Sequence, residues 1–226
     1  MKIRSKRYKA SAEKVDINKT YKLKEAISVL KTMSVVKFDA SVDLHFKLNV
    51  DPKKSEQMVR GTVVLPHGTG KKIRVAVFCR GDHEKIAHAS GADIVGAQEL
   101  IDKVAGGFLD FDCVIATPEM MKDLSKLGKV LGPRGLMPSP KTGTVTNDVA
   151  KAIEDVKKGK VEYRVDKQSG LHLSVGKLSF SEDALFDNAS AVIHAINDAK
   201  PATVKGKFVL NAAIAASMSP GLRLEI

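Results

Sequence analysis

Hydrophobic and polar residues alternate strictly between Val42 and Val50. Valine, leucine or phenylalanine stands at every second position, and polar residues such as Asp43, His45 and Lys47 stand between them. Because neighbouring side chains of a β-strand point to opposite faces, this pattern predicts a strand with one face in the core and one in water. Helical spacing of apolar residues predicts an amphipathic helix just before it, at 22–33.

The middle of the chain has a different pattern. Ile73–Cys79 is apolar apart from Arg74 and Cys113–Ala116 is wholly apolar, which is typical of strands covered on both faces. Helical spacing at 82–90 and 97–104 flanks a short predicted strand at 92–95. Strands that alternate with helices in this way indicate a doubly wound, Rossmann-like parallel sheet.

The last third of the chain returns to antiparallel signals. Val161–Val165 and Leu171–Val175 form a predicted antiparallel pair. Ser179–Glu182 resembles a capping box and predicts a helix that continues to Asn197. A final apolar run, Phe208–Ala215, predicts one more strand.

Two short glycine-containing segments, 66–70 and 157–160, separate these patterns. A helix with a predicted cap at Asn147 ends at the second of them. We therefore expect an α/β chain of two domains: an antiparallel-sheet α/β domain formed by both chain ends, and an inserted Rossmann-like parallel α/β domain. Paired linkers of this kind permit hinge motion. The expected domains comprise residues 1–67 with 159–226, and residues 68–158.

Charge and composition indicate a polyanionic partner. The 226 residues include 37 Lys and Arg against 26 Asp and Glu, a net charge of +11. The expected end-built domain carries +9 of this and the insert +2, so the polyanion-binding face belongs on the former. Only 5% of residues are aromatic and none is tryptophan, which favours recognition of folded RNA over serial stacking of single strands.

Several other classes of protein lack their signatures here. No apolar run approaches the roughly 20 residues of a membrane span, and the basic N-terminal arm lacks the apolar core of a secretory signal. Cys79 and Cys113 lie in apolar runs, as buried thiols do in a reducing compartment. Gly68–Lys72 lacks the first glycine and the hydroxyl residue of a phosphate loop. The histidines lack metal-ligand or triad spacing. We expect a cytoplasmic protein, not an enzyme, with no cofactor and no membrane partner.

Side chains suited to RNA concentrate in the expected end-built domain. Folded RNA requires cations for phosphates, polar groups for 2′-hydroxyls and flat or apolar groups for bases. Lys37 and Phe38 precede the strand that carries His45 and Lys47 on its wet face, although a core position for Phe38 is an equal alternative. Arg4 belongs to the basic arm. Further candidates lie around the predicted hairpin: Arg164, Lys167 and His172. The alternative for each is a solvated side chain that contacts no RNA.

The segment 129–141 replaces apolar periodicity with glycine, proline and cations. Gly132 and Gly135 suit positive φ angles, and the prolines fix φ, so the loop presents Arg134 and Lys141 on a stiff frame. Its alternative interpretation is an ordinary connection between two elements.

Three stretches, 51–70, 129–141 and 159–180, resemble the ribosomal protein family numbered first in the large subunit, the protein of its mobile side stalk. The resemblance covers nearly the whole chain and implies a split first domain with an inserted second one. It also implies a monomer within the cytoplasmic ribosome that binds large-subunit ribosomal RNA at the stalk base. Contact with exit-site transfer RNA, assistance in release of deacylated transfer RNA, and repression through a leader of its own messenger RNA are implied as well.

The resemblance extends to individual residues. Ser217–Pro220 resembles the Thr-Met-Gly-Pro turn that the family places against ribosomal RNA, so Ser217, Met218, Ser219 and Pro220 join the expected RNA contacts. Ser219 departs from the family glycine and would weaken binding if that glycine is needed for positive φ or close approach. The predicted hairpin resembles the RNA-facing hairpin of the family. Arg134 and Lys141 are candidates to face transfer RNA.

Two other functions remain open from the sequence. An enzyme with a parallel nucleotide-binding domain would bind a nucleotide saturably and be stabilised by it. A chromatin-like or messenger-coating protein would share the basic surface but show little preference between RNA sequences at moderate salt.

Overall fold

The computed structural model describes residues 5–16, 19–33 and 36–225. The chain forms two compact units, one of residues 1–70 with 161–226 and one of residues 71–160. The boundaries expected from the sequence lie in the same two connecting segments. Counted over the observed units, the net charges are +8 and +3.

The helices and strands are numbered here in chain order. They are α1 (Lys6–Glu13), β1 (Thr20–Tyr21), α2 (Leu23–Met33), β2 (Ser41–Leu48), β3 (Arg60–Val64), β4 (Val75–Phe78), α3 (Asp82–Ala89), β5 (Ile94–Gly96), α4 (Gln98–Ala105), β6 (Cys113–Ala116), α5 (Met121–Leu124), α6 (Gly128–Leu131), α7 (Val149–Lys158), β7 (Lys160–Arg164), β8 (Gly170–Lys177), α8 (Glu182–Asp198), β9 (Val209–Ala216) and β10 (Leu222–Leu224). Short 3₁₀ helices occupy Ser55–Gln57, Pro118–Met120, Ser125–Leu127 and Pro140–Thr142.

A five-stranded sheet organises the first unit, in the order β1-β10-β9-β2-β8. The β1–β10 pair is parallel and the other pairs are antiparallel. The alternation predicted for β2 is confirmed, because Val42, Leu44 and Phe46 are buried whereas Lys47 is exposed. The buried residues of β2, β8 and β9 join those of α2 and α8 in one core. The two helices therefore cover one face of the sheet and leave the other to solvent.

The second unit contains a parallel sheet in the order β5-β4-β6, extended by a single parallel bridge between Ala116 and Val145. Alternate residues of β4 enter different cores. Phe78 packs with side chains of α4, α5 and α6, whereas Val77 packs with those of α3 and α7. Both faces are covered, as the continuous apolar runs predicted. The α/β class, with an antiparallel-containing sheet in one unit and a parallel sheet in the other, is confirmed.

The predicted hairpin of β7 and β8 is wrong as a pairing. A tight turn joins the two strands, with the Asp166 N–H donating to the Gly170 carbonyl at 2.8 Å. However, β7 pairs with β3 in a separate two-stranded sheet, and β8 pairs with β2. Alternation identifies a strand and its buried face, but it does not identify the partner.

Two helix caps also differ from their predictions. Asp148 rather than Asn147 caps α7, accepting a hydrogen bond from the Lys151 N–H at 3.2 Å. Ser181 rather than Ser179 caps α8. Each observed cap lies directly beside the first helical residue, where its oxygen reaches the unpaired N–H groups of the first turn.

The expected N-terminal basic arm contains a helix. Ser5 caps α1, with its hydroxyl accepting a hydrogen bond from the Tyr8 N–H. The Ser11 hydroxyl is buried and donates to the carbonyl of Met33 at 3.3 Å, which attaches α1 to the end of α2. None of the described helices is long and apolar enough to cross a membrane.

Asn188 of α8 is a fully buried polar residue that fixes the first connecting segment to the sheet. Its Nδ2 donates to the carbonyls of Gly68 at 3.0 Å and Val175 at 2.8 Å, and its Oδ1 accepts from the His67 N–H at 3.0 Å. Gly70 follows with φ +71°, and a Cβ there would lie 2.9 Å from Phe180 Cε1. The segment therefore lies too close to the Phe180 ring for a side chain at this position.

We expect Asn188→Ala to lower the free energy of unfolding by about 2 to 4 kcal/mol, because it leaves buried backbone groups without partners. Chemical denaturation followed by circular dichroism measures the change. Asn197→Ala, at an exposed position of the same helix, is the matched control and should change stability by less than about 0.5 kcal/mol. Equal effects of the two variants would contradict the role given to Asn188.

Candidate nucleic-acid interface

The uncovered face of the five-stranded sheet presents one continuous row of side chains. His172, His45, Ala213, Arg223 and Thr20 are successive register partners across all five strands. Directly paired residues point to the same face of a sheet. The row therefore carries imidazole, methyl, guanidinium and hydroxyl groups across the surface. We call this uncovered face of the five-stranded sheet the polar sheet face.

Strand β9 forms a floor of small residues along the polar sheet face. Asn211, Ala213 and Ala215 alternate with the buried Ala212 and Ile214. A methyl group rises little above the backbone, so the taller side chains of β2 and β10 stand on either side of a shallow trough. A ligand backbone can approach the sheet closely there.

His45 and His172 form a cross-strand pair on this face, which we call the histidine pair. Their Nδ1 atoms are 2.9 Å apart, and the ring centroids are 5.0 Å apart in an edge-on arrangement. Partial burial lowers the pKa of His45, and the neighbouring His172 lowers it further, whereas Asp43 acts in the opposite direction. His45 is therefore biased towards the neutral form in the free protein.

The turn between β7 and β8 borders the histidine pair. Asp166 Oδ1 accepts hydrogen bonds from the N–H groups of Gly170 at 2.6 Å and Gln168 at 2.8 Å. These bonds, chiefly that from Gly170, hold the pKa of Asp166 below its usual value. The ammonium of Lys47 donates to the Gln168 carbonyl, which places a cation at the same turn. Together these residues border a cavity of about 280 Å³.

The opposite end of the trough is formed by the turn after β9. The Ser217 hydroxyl accepts a hydrogen bond from the Ser41 N–H at 3.2 Å, which joins the turn to the start of β2. Met218 is 63% exposed and has φ +63°. Nη2 of Arg7 lies 2.9 Å from its sulfur. A cation, a hydroxyl and an apolar side chain are therefore brought together here.

Ser219 does not occupy the strained position of this turn. The positive φ belongs to Met218, whereas the Ser219 N–H donates to the Ala216 carbonyl at 3.0 Å and its hydroxyl contacts the same residue. Ser219 therefore needs no positive φ in this chain, and its effect through close approach of RNA stays a prediction. Pro220, beside it, is buried.

Lys37 and Phe38 lie in the loop before β2. Phe38 is 53% exposed, so the alternative of a core position is wrong. Asp39 fixes the loop, since its carboxylate accepts from the Ser179 N–H at 3.1 Å and the Ser179 hydroxyl at 2.8 Å. Lys37 is also exposed. The loop therefore presents a cation and an aromatic ring beside the Ser217 end of the trough.

The other predicted residues have different positions. Lys167 is exposed in the turn that borders the cavity, whereas Arg164 lies on β7, in the two-stranded sheet. Arg4 lies outside the described residues. The sequence reasoning missed Arg223 and Asn211. Alternation along β9 was a usable signal for Asn211, but a three-residue strand gives none for Arg223.

The glycine- and proline-containing loop of the second unit is internally braced. Gly135 has φ +71°, as predicted, whereas Gly132 is helical, contrary to the expectation. The Thr142 hydroxyl is buried and donates to the Ser139 carbonyl at 3.0 Å, and the Ser139 N–H donates to the Thr144 hydroxyl at 2.8 Å. The loop cations, Arg134 and Lys141, are both exposed.

Comparison with known proteins agrees with this architecture. Residues 29–220 match the model of the ribosomal protein L1p/L10e family. The chain is 54% identical over 222 residues to the large ribosomal subunit protein uL1 of Bifidobacterium longum subsp. infantis, covering 98% of this chain and 96% of that protein. It is 52% identical over 220 residues to the protein of the same name from Lactobacillus delbrueckii subsp. bulgaricus, covering 97% and 95%.

The chain belongs to the ribosomal protein L1p/L10e family. It is therefore a structural constituent of the large ribosomal subunit in the cytoplasm, and not an enzyme. The resemblance seen in the sequence is confirmed. In the part of the chain that the structure describes, no cluster of three His, Cys, Asp or Glu side chains is arranged to hold a metal ion. Burial raises the pKa of the Cys79 thiol to about 11, which keeps it protonated at neutral pH.

Proposed function

We propose that the polar sheet face anchors the protein on large-subunit ribosomal RNA at the base of the mobile side stalk. The observation that carries this proposal is the trough itself: small residues form its floor, and side chains of Arg223, Lys47 and the histidine pair border it. Such a floor admits a sugar–phosphate backbone, and the bordering groups suit phosphates and 2′-hydroxyls. The net charge of +8 on this unit favours the same partner.

The Ser217 end of the trough adds contacts of another kind. Phe38 and Met218 are large apolar side chains that are 53% and 63% exposed. An exposed ring or thioether suits stacking or packing on an unpaired base or a sugar. Lys37 and Arg7 supply cations beside them. We therefore assign phosphate contacts mainly to the cations and discrimination between RNAs mainly to Met218 and Phe38.

Binding to a stalk-base fragment of large-subunit ribosomal RNA and to a charge-matched unrelated RNA, each across a salt series, tests this proposal. The fragment should be preferred on the order of 1,000-fold at physiological salt. Lys37→Ala should weaken the binding of both RNAs, and it should reduce the slope of log affinity against log salt concentration by about one. Met218→Ala should mainly reduce the preference for the fragment.

Lys24→Ala is the charge-matched control, because Lys24 lies on α2, which covers the opposite face of the sheet. It should leave the affinity for the fragment within about twofold. Unchanged binding by both Lys37→Ala and Met218→Ala would refute the site, and equal binding of both RNAs would leave only a general basic surface.

The second unit supports a contact with exit-site transfer RNA that assists release of the deacylated molecule. The family resemblance motivates this part of the proposal, and the exposed cations of the loop support it. Lys141 is exposed within the turn that the Ser139, Thr142 and Thr144 hydrogen bonds brace. Arg134 is exposed in the preceding turn, where the Gly135 N–H donates to the Gly132 carbonyl at 3.0 Å. A stiff loop loses little conformational entropy when its cations bind phosphates.

Replacing both Arg134 and Lys141 by Ala should weaken binding of deacylated transfer RNA about two- to tenfold, because two exposed charge contacts are lost. Filter binding to ribosomes that carry the variant measures this change. Affinity for the stalk-base fragment should stay the same. Replacing Lys103 and Lys151, exposed on α4 and α7, removes the same charge, and an equal loss with that pair would argue against the loop.

Repression of its own messenger RNA is the third part of the proposal. Within the family resemblance, a leader that mimics the ribosomal site occupies the same protein surface. The leader and the stalk-base fragment should then displace each other competitively, and Met218→Ala should weaken both in parallel. Simultaneous binding of the two RNAs without mutual effect, observed by gel shift with differently labelled RNAs, would refute a shared surface.

A further inference from the structure

The cavity beside the histidine pair has the size and lining of a subsite for part of a larger ligand. Its volume of about 280 Å³ lies below the roughly 300 to 1,000 Å³ of typical small-molecule pockets. Gly170, Ala212 and Ala213 also line it, and of these only Ala213 has a side chain on the polar sheet face. The polar groups of the lining belong to His45, Lys47, Asp166, Gln168, His172 and Asn211.

The histidine pair accepts one extra proton, but not two, without opening. At an Nδ1–Nδ1 distance of 2.9 Å, one ring donates its N–H and the other accepts it with a lone pair. If both rings were doubly protonated, two N–H groups and two positive charges would face each other. The pair is therefore stable as a neutral pair or as a singly charged pair.

Asp166 faces the outer ring nitrogen of His172. His172 Nε2 lies 3.7 Å from Asp166 Oδ2, which favours the tautomer of His172 with its proton on Nε2. His172 Nδ1 is then the acceptor within the pair, and His45 Nδ1 is the donor. None of the described residues makes a hydrogen bond to His45 Nε2 in the structure. This nitrogen is a lone-pair acceptor in the neutral pair and a donor after protonation.

Charged groups around the histidine pair lie on several elements. On β2, Asp43 and Lys47 flank His45, and in the turn after β7 the carboxylate of Asp166 faces His172. Strand β9 contributes the neutral Asn211, and Arg223 of β10 lies one strand further along the same row. Of the two carboxylates, Asp43 raises the pKa of His45, against the larger effects of burial and His172. Lys47 attracts an anion and retains free donors, since an ammonium has three N–H groups.

We infer that the histidine pair, Lys47 and Asn211 form a subsite for one phosphodiester of RNA, and that binding of this phosphate transfers a proton from solvent to His45 Nε2. The inference rests on the proposed RNA-binding function. It adds to that function the position of one phosphate and the uptake of one proton on binding. In the neutral pair, the lone pair of Nε2 would face a phosphate oxygen and repel it. After proton uptake the same nitrogen donates a charge-assisted hydrogen bond to that oxygen.

Proton uptake gives RNA affinity a definite dependence on pH. A bound phosphate raises the pKa of His45 above its value in the free protein, so affinity increases as pH falls through this interval. The gain is complete below the free-protein pKa and is lost above the pKa of the complex. One proton changes affinity by at most about tenfold per pH unit.

Titration of the full chain with the stalk-base fragment, at constant salt between about pH 8 and about pH 6, tests the inference. Wild-type Kd should fall about three- to tenfold across this range, and His45→Gln should remove most of that change. His194→Gln is the matched control, because His194 is exposed on α8, which covers the other face of the sheet. It should retain the wild-type pH dependence.

Calorimetry of the wild-type protein in two buffers of different ionisation enthalpy gives a second measurement that does not depend on a variant. Net uptake of up to about one proton per complex near pH 7 is expected. Tight binding without uptake, or an affinity that rises with pH, would overturn the phosphate subsite and leave the RNA-binding proposal standing. Absence of any preference for the fragment at every pH would instead overturn the proposed function.

Discussion

The first unit depends on the hydrogen bonding of β2, whose neighbours on both sides come from the far end of the chain. Strands β8 and β9 both follow the inserted unit in sequence. Unpaired backbone groups of a buried strand are costly. The five-stranded sheet therefore cannot form until the part of the chain after the second unit supplies β8 and β9. Contacts between such distant residues form slowly, because loop closure precedes the gain from pairing. The Asn188 hydrogen bonds fix the segment through which the chain leaves the first unit.

The same pairing creates the binding surface. Antiparallel register brings His45 beside His172 and opposite Ala213, although these residues are far apart in sequence. The helices cover the apolar side of the sheet, so polar groups from both chain ends meet on the other side. Local charge then decides the chemistry of each part: carboxylates bias the histidine pair, and exposed apolar side chains define the Ser217 end. The pairing of β2 with β8 and β9 thus produces both the core on one face of the sheet and the candidate binding surface on the other.

Sequence patterns predicted the elements better than their partners. The alternation at 42–50 correctly gave the buried face of β2, because period and burial are local properties. The hairpin prediction failed because strand pairing depends on the whole sheet. Likewise, the exposure of Phe38 depends on an anchor between Asp39 and Ser179, which no local pattern reveals. Arg223 was missed for a similar reason, since its position in the row is set by β9 and β1 rather than by its neighbours in sequence.

The alanine floor of the trough limits the size of the side chains that this surface can carry. Ala213 and Ala215 are half-buried on the solvent side of a sheet whose core lies on the other side. A larger side chain at either position would project into the trough and fill space that a bound backbone needs. Small size at these two positions is therefore a requirement of the proposed binding surface, distinct from the packing of the core on the other face of the sheet.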